Sequence, residues 1–376
     1  MPFTNTRENL ARAFLTPEEV ERFTGTGREL WANVAAGSSP TVLDRGTGWK
    51  TISAGQDVTQ WWTGIKIDGR VWSAGLNTFG QLGNGANTDV GLGNPVTTVG
   101  GGTDWRDVSA GYQHTIAIKN DGTLWTWGLN ASGQLGTGDV LDRSSPGTTI
   151  GGGNNWLRVA AGASHSAAIK VDGTLWTWGV GTSGALGNGG VAGQSSPITT
   201  AGGGTNWKFV AAGYNATGGI KTDGTLWTWG SNLTGRLGDN TAVNKSSPVT
   251  TAGGGTNWKT VYFNSYSAGA YAGGCKTDGT LWTWGNGAIN GANGVARSSP
   301  GQIAGGGTNW KTAGLGANFG FAIKTDGSMW SWGNNDGGKL TDGTLTSKLS
   351  PVRTLGNNRY KQVSLTDAQW FAIADT

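Results

Sequence analysis

Along Asn155–Gly204, apolar and polar positions alternate in short bursts separated by glycine. Period-two alternation is the signature of a strand with two unlike faces. It predicts strands around Leu157–Ala161, Ser166–Lys170 and Leu175–Gly179. Asp172-Gly173 lies between the second and third, and Asp-Gly suits the positive backbone angles of a tight hairpin. A glycine-rich loop then leads to Ser196-Pro197, where a fourth strand is expected to start. Proline cannot donate to a ladder, so this strand is predicted to be the outer one.

The same arrangement recurs. KTDGTLWTWG occupies Lys221–Gly230 and again Lys276–Gly285, with close copies at Lys119–Gly128, Lys170–Gly179 and Lys324–Gly333 and a weaker one at Lys66–Gly75. Beyond the first residues, prolines stand at Pro40, Pro95, Pro146, Pro197, Pro248, Pro300 and Pro351, at spacings of 55, 51, 51, 51, 52 and 51. An aromatic residue precedes each predicted first strand, at Trp49, Trp105, Trp156, Trp207, Trp258, Trp310 and Tyr360. Four antiparallel strands repeated in this way predict an all-β, seven-bladed propeller. Gly25–Leu43 matches only the second half of a unit and Tyr360–Thr376 only the first half, so one blade is expected to be shared between the two. In TLWTWG the two tryptophans share one face and Leu and Thr the other. Face-to-face packing of blades then requires the repeated sequence. The alternative, that the tryptophans form aromatic binding platforms, is disfavoured because aromatics at regular spacing usually build cores.

Residues 1–24 read as a separate helical attachment segment ahead of a propeller at 25–376. Thr16 suits an N-cap, Pro17 the first helical position and Glu19 the third. All five glutamates fall within residues 1–29, which carry a net charge of −1, whereas the remainder carries +5. No basic run stands out in that excess, which argues against nucleic acid as a partner. Glycine (70 residues) and tryptophan (21) are both abundant, which fits many tight turns and excludes a disordered chain. A lone cysteine, Cys275, in an apolar run reads as buried, with no intramolecular disulfide. No stretch approaches the ~20 apolar residues of a membrane span, and no secretory signal is read at the start.

HTIAIKNDGTLWTWGLNASGQLGTG, at His114–Gly138, closely resembles the repeat of the RCC1 (regulator of chromosome condensation) family. The resemblance covers about residues 25–376 and implies a seven-bladed propeller. The family's best-known activity is nucleotide exchange on a small GTPase, to which a wedge-like hairpin inserted in one blade contributes. The repeats here vary by only a few residues and leave no room for that hairpin, so no exchange residues carry over. Another relative inhibits β-lactamases through loops on one face.

Catalytic chemistry is not expected. His114 and His165 hold one repeat position, and a position dictated by architecture reads as structural. Two histidines without acidic or thiol partners do not make a zinc site, and no metal or cofactor is implied. Asp68, Asp121, Asp172, Asp223, Asp278 and Asp326 are turn residues, each two places after a lysine; they predict a rim of alternating, weakly paired charges. Departures from the repeat are more telling. From first-strand aromatic to hairpin Asp, four units use 16 residues, the first 19 and the fifth 20. The longer stretches hold Trp61 and Trp62, and Tyr262, Phe263, Tyr266 and Tyr271. These six are the candidate binding residues, as exposed anchors on loops of one face; packing beneath the loops is the competing reading. Failing them, the loops between WG and the outer-strand proline are the next candidates. The preferred function is a non-enzymatic structural or recognition protein, a bacteriophage virion component assembled in host cytoplasm and docked through residues 1–23, with a cell-surface receptor or glycan as its target. The alternatives are a cytosolic regulator that binds a protein partner, such as a GTPase or an inhibited enzyme, and a lectin.

Overall fold

The computed structural model describes residues 29–32, 41–44, 48–56, 60–151, 153–264, 270–287, 295–303, 307–366 and 369–375. The helix expected over residues 1–23 and the site residue Tyr266 lie outside these. The strands form seven four-stranded sheets, every pairing antiparallel. Six sheets, here blades 1 to 6, are each a continuous segment. The seventh is composite, and in this the molecule differs from a ring of seven equal units. It joins Glu29–Ala32 and Thr41–Asp44 to Arg359–Leu365 and Trp370–Asp375.

Strands are lettered a to d from the axis outward. In blade 3 they are Trp156–Ala161, His165–Lys170, Leu175–Gly179 and Gln194–Thr199. Strand d starts before Pro197 rather than at it. The proline falls where the c–d ladder skips from Gly179↔Gln194 to Thr177↔Ile198, an irregular stretch that needs no donor there. The a strands of neighbouring blades adjoin around the axis.

Each interface packs unlike faces. Ile169 and Leu175 of blade 3 meet Trp207, Trp229 and Trp227 of blade 4. Ile220 and Leu226 of blade 4 meet Trp258, Trp284 and Trp282 of blade 5 in the same way. The ring closes with Phe371 and Ile373 of the composite sheet against Trp49, Trp62 and Trp72 of blade 1.

The repeated turn sequence is explained atom by atom. Asp223 Oδ1 accepts from the Thr225 amide at 2.9 Å and from its hydroxyl at 2.7 Å, and Thr225 Oγ1 accepts from Trp227 Nε1 at 3.0 Å. The Thr225 amide and hydroxyl hold the Asp223 carboxyl below its ordinary range. The preceding Lys221 stacks its ammonium over Trp207 at 5.0 Å and Trp227 at 4.3 Å, a cation–π sandwich repeated in blades 1 to 6. The rim lysines therefore brace tryptophans as well as carrying charge. Gly173 adopts φ +78°, and a Cβ there would stand 2.0 Å from Thr205 O of the connection to the next blade. Its carbonyl accepts from the Trp207 amide at 3.0 Å, tying the hairpin of one blade to the inner strand of the next.

Candidate recognition surface and central channel

Strand pairing places the expected anchors where length alone did not. Trp61, His114, His165, Ala216, Tyr271 and Phe319 all begin strand b, each opposite the glycine that ends strand c. Trp61 and Tyr271 are thus not loop tips. Both are fully buried and reach the next blade: Trp61 Nε1 donates to Tyr112 O at 3.0 Å, and the Tyr271 hydroxyl to Gly316 O. The insertions precede them, which is why counting forward from the inner tryptophan misplaced them. Trp62 is also fully buried and lies edge-on to Trp49 at 5.3 Å. Its cross-strand partner is Ala74, in the place where blades 2 to 6 carry the second tryptophan of the motif. Phe263 is buried and Tyr262 half-buried, and both line the central channel. The Tyr262 hydroxyl lies 3.1 Å from Thr312 Oγ1, and burial pushes its pKa well up. Exposure as anchors is corrected for Trp61, Trp62, Phe263 and Tyr271, because their hydrophobic surface is spent on neighbouring blades.

The histidines occupy the same inter-blade position. His114 Nε2 is 3.0 Å from Ser166 Oγ, whose own proton goes to Gln134 O at 2.8 Å. His165 Nε2 is 2.8 Å from Thr217 Oγ1, which donates to Ala185 O. Each hydroxyl has spent its proton, so each Nε2 is the donor. Burial drives the His114 pKa down to about 3 and that of His165 to about 4. Cys275 is buried among Leu281, Trp310 and Trp332.

Loops a–b and c–d emerge at one end of the ring, since strand b begins where strand c ends. The c–d loops of blades 1, 2, 4 and 6 are built around a buried asparagine. Asn130 Oδ1 accepts from the Leu135 amide at 2.9 Å while its Nδ2 donates to Asp139 O at 3.1 Å; Asn232 and Asn335 make corresponding bonds. In blade 3 the place is Gly181, where a Cβ would meet Ala192 O at 2.2 Å. The c–d segments hold apolar side chains in water: Leu141, Val191, Val243, Val295 and Leu345 in blades 2 to 6, with Leu233 in the same loop as Val243. Each of the first five stands five or six residues before its outer-strand proline. Leu233 and Leu345 are 77% and 73% exposed. A large apolar group displayed at one repeat position makes this end of the ring the candidate recognition surface.

The a strands enclose a channel cavity of about 340 Å³. At the loop end, Gln56 of blade 1 crosses it. Its amide donates to Gly111 O of blade 2, and its side-chain Nε2 donates to Ala161 O of blade 3 at 2.6 Å and to Ala212 O of blade 4 at 3.0 Å.

Comparison with known proteins bears out the sequence pattern. The description "Regulator of chromosome condensation (RCC1) repeat" matches residues 68–118 and 121–169. The chain carries RCC1 repeats, and the fold they build here is an all-β propeller. It is 34% identical over 204 residues to the ultraviolet-B receptor UVR8 of Arabidopsis thaliana, a match covering 53% of this chain and 46% of that one. The chain thus spans less than half the length of that relative. Human WBSCR16 superposes with a TM-score of 0.79 at 19% identity, over 94% of this chain and 99% of that one. Prp20p of Saccharomyces cerevisiae, described with its binding to Gsp1p and histones, superposes at 0.78 with 15% identity over 96% and 95%. The last two similarities speak to the fold. No helix among the described residues is long and apolar enough to cross a membrane, and no group of three or more His, Cys, Asp or Glu among them is placed to hold a metal.

Proposed function

We propose that the protein is a non-enzymatic regulator that binds a protein partner on the loop-bearing end of its propeller. The exposed apolar residues of five successive c–d loops carry this reading. They form an arc around one end, and in blades 2, 4 and 6 a buried asparagine holds the loop, so little loop entropy is lost there on binding. Binding of Gsp1p and histones by the structurally similar Prp20p supports a protein as the partner. The relatives found here lend no support to a virion component or to a glycan target, so the regulator reading takes their place. Residues 1–23 remain, within this proposal, a docking element separate from the propeller.

The test replaces Leu141, Val191, Val243 and Leu345 together by lysine. Proteins cross-linked to the intact chain in cells are quantified against those cross-linked to the variant. Loss of the principal partner at an unchanged melting temperature is expected. Retention of that partner at wild-type yield would refute the assignment of the face.

A further inference from the structure

The outer strands of blades 2 to 5 are strapped by the preceding blade, and that of blade 6 is not. The c–d loop of one blade crosses to strand d of the next. The amides of Gly85, Gly138 and Gly189 donate to Ser144 O, Ser195 O and Ser246 O at 2.8 Å, and that of Asn240 to Ser298 O at 2.7 Å. The strap lies so close that a Cβ on Gly80 or Gly184 would stand 2.4 Å from the Cα of Ser144 or Ser246, and one on Gly133 or Gly235 2.6 Å from that of Ser195 or Ser298. Among the described residues no amide reaches strand d of blade 6 in this way. The segment that would have to supply it is shorter. Pro300 follows Gly285 by 15 residues, whereas Pro146, Pro197 and Pro248 each follow the glycine that ends strand c by 18.

The outer strand of blade 6, Lys348–Arg353, departs from the repeat at two places as well. Leu349 stands where blades 2 to 5 have Ser144, Ser195, Ser246 and Ser298. Arg353, opposite Trp330, stands where they have Thr148, Thr199, Thr250 and Gln302. Leu349 and Leu355 are each 57% exposed, while the four serines are half-buried. Native sheet edges are normally covered by a loop or a helix. Here the loop is short, and the edge presents two leucines and a cation.

The chain ahead of Glu29 arrives at this edge. Glu29 pairs with Ala374, which pairs on its other side with Tyr360. Two strand spacings, about 10 Å, therefore separate Glu29 from Tyr360. Leu355 precedes Tyr360 by five residues, on the connection that leaves blade 6 at the end of the ring where Glu29 enters. Residues 24–28 can span up to about 17 Å. Before them, Leu10 with Phe14 and Val20 with Phe23 have the spacing of one helix face, and Glu18, Glu19 and Glu21 lie among them. The charges are complementary: all five glutamates of the chain fall within residues 1–29, and residues 348–355 hold two cations and no acid.

We propose that residues 10–23 dock on the outer edge of blade 6 of their own chain, with the apolar face over Leu349 and Leu355 and the glutamates towards Arg353. The site lies on the outer wall and does not depend on the loop face argued above. Hydrogen exchange read by mass spectrometry on the full-length chain tests it, with a synthetic peptide of residues 1–28 as reference. The amides of residues 10–23 are expected to exchange at least tenfold more slowly in the chain than in the peptide. Leu349→Ser with Leu355→Ala gives blade 6 the residues that blade 4 has at these places, and should return exchange to the peptide rate at an unchanged melting temperature. Should the pair prevent folding, Leu349→Ser alone is expected to reduce the protection at least threefold. Arg353→Thr should reduce it about threefold. Ile150→Ala, at the place of Leu355 in blade 2, should leave it intact. Equal exchange in chain and peptide, or protection that survives the leucine substitutions, would overturn the dock. Protection lost equally in Ile150→Ala would overturn its assignment to blade 6. Protection lost on tenfold dilution would place the segment on a second copy and overturn docking within one chain.

Discussion

Blades 1 and 2 fill the same space from opposite strands. Blade 2 sets Trp127 on strand c against Thr115 on strand b, whereas blade 1 sets Trp62 on strand b against Ala74 on strand c. Trp127 packs edge-on to Trp105 at 5.8 Å and Trp62 edge-on to Trp49 at 5.3 Å. The indole thus reaches the same partner, and the volume in the layer is kept while the sequence departs from its repeat. Blade packing constrains the pair of facing residues rather than either one, as close packing in cores leads one to expect. A copy that scores weakly as sequence is therefore not a weak blade.

The largest expected effect follows from that exchange. Trp62→Thr should cost ~3–5 kcal/mol in urea unfolding. Adding Ala74→Trp, which converts blade 1 to the blade 2 arrangement, should restore most of the loss. A double variant no more stable than the single would show that the two blades are not interchangeable.

A second contrast lies one residue earlier, where blade 1 has Trp61 and blades 2 and 3 have histidine. The folded-state pKa values of about 3 and about 4 lie below the ordinary value of 6.5. The folded rings stay neutral while the unfolded ones take up protons. Their contribution is complete above pH 6.5 and is lost as the pH falls towards 4 and 3. By linkage each histidine should cost about 2 kcal/mol at pH 5 relative to pH 8. His114→Phe, which copies the residue of blade 6, should remove its share of this dependence; an unaltered slope of stability between pH 5 and 7 would disprove it.

The smallest effect is a gain. Blade 1 has Arg70 where blade 2 has Thr123, the acceptor for Trp125 Nε1 at 2.9 Å. Trp72 Nε1 in blade 1 is buried with no hydrogen-bond partner. Arg70→Thr should supply the acceptor and raise stability by ~1 kcal/mol, read as a higher urea midpoint at constant slope. A lowered midpoint would mean that the arginine stem contributes more than the missing bond.

Strands, hairpins and the composite sheet were legible because they rest on periodicity and on turn chemistry that acts locally. The anchors were not, because their role depends on cross-strand register. Measured back from the hairpin aspartate, Trp61, His114, His165, Ala216, Tyr271 and Phe319 all fall seven residues earlier. That count marks them as one position, whereas counting from the inner tryptophan includes the insertion. The exposed leucines and valines of the c–d loops carry no periodic signal that tells display from burial.

The composite sheet also orders the events of folding. Within blades 1 to 6, partners are close in sequence, and each sheet can assemble as its segment becomes available. Closure instead joins Ile52 to the side chain of Gln362, 310 residues away. The entropy of so long a loop grows only logarithmically, and closing it costs about 1.6 kcal/mol more than closing a loop the length of one repeat. The ring is therefore limited by the order in which its parts arrive, far more than by the free energy of joining them. Until Arg359–Leu365 and Trp370–Asp375 have formed, Glu29–Ala32 lacks one of the two strands it pairs with and blade 1 lacks one neighbour. A nascent chain passes through an open arc with an unpaired edge before it becomes a disc.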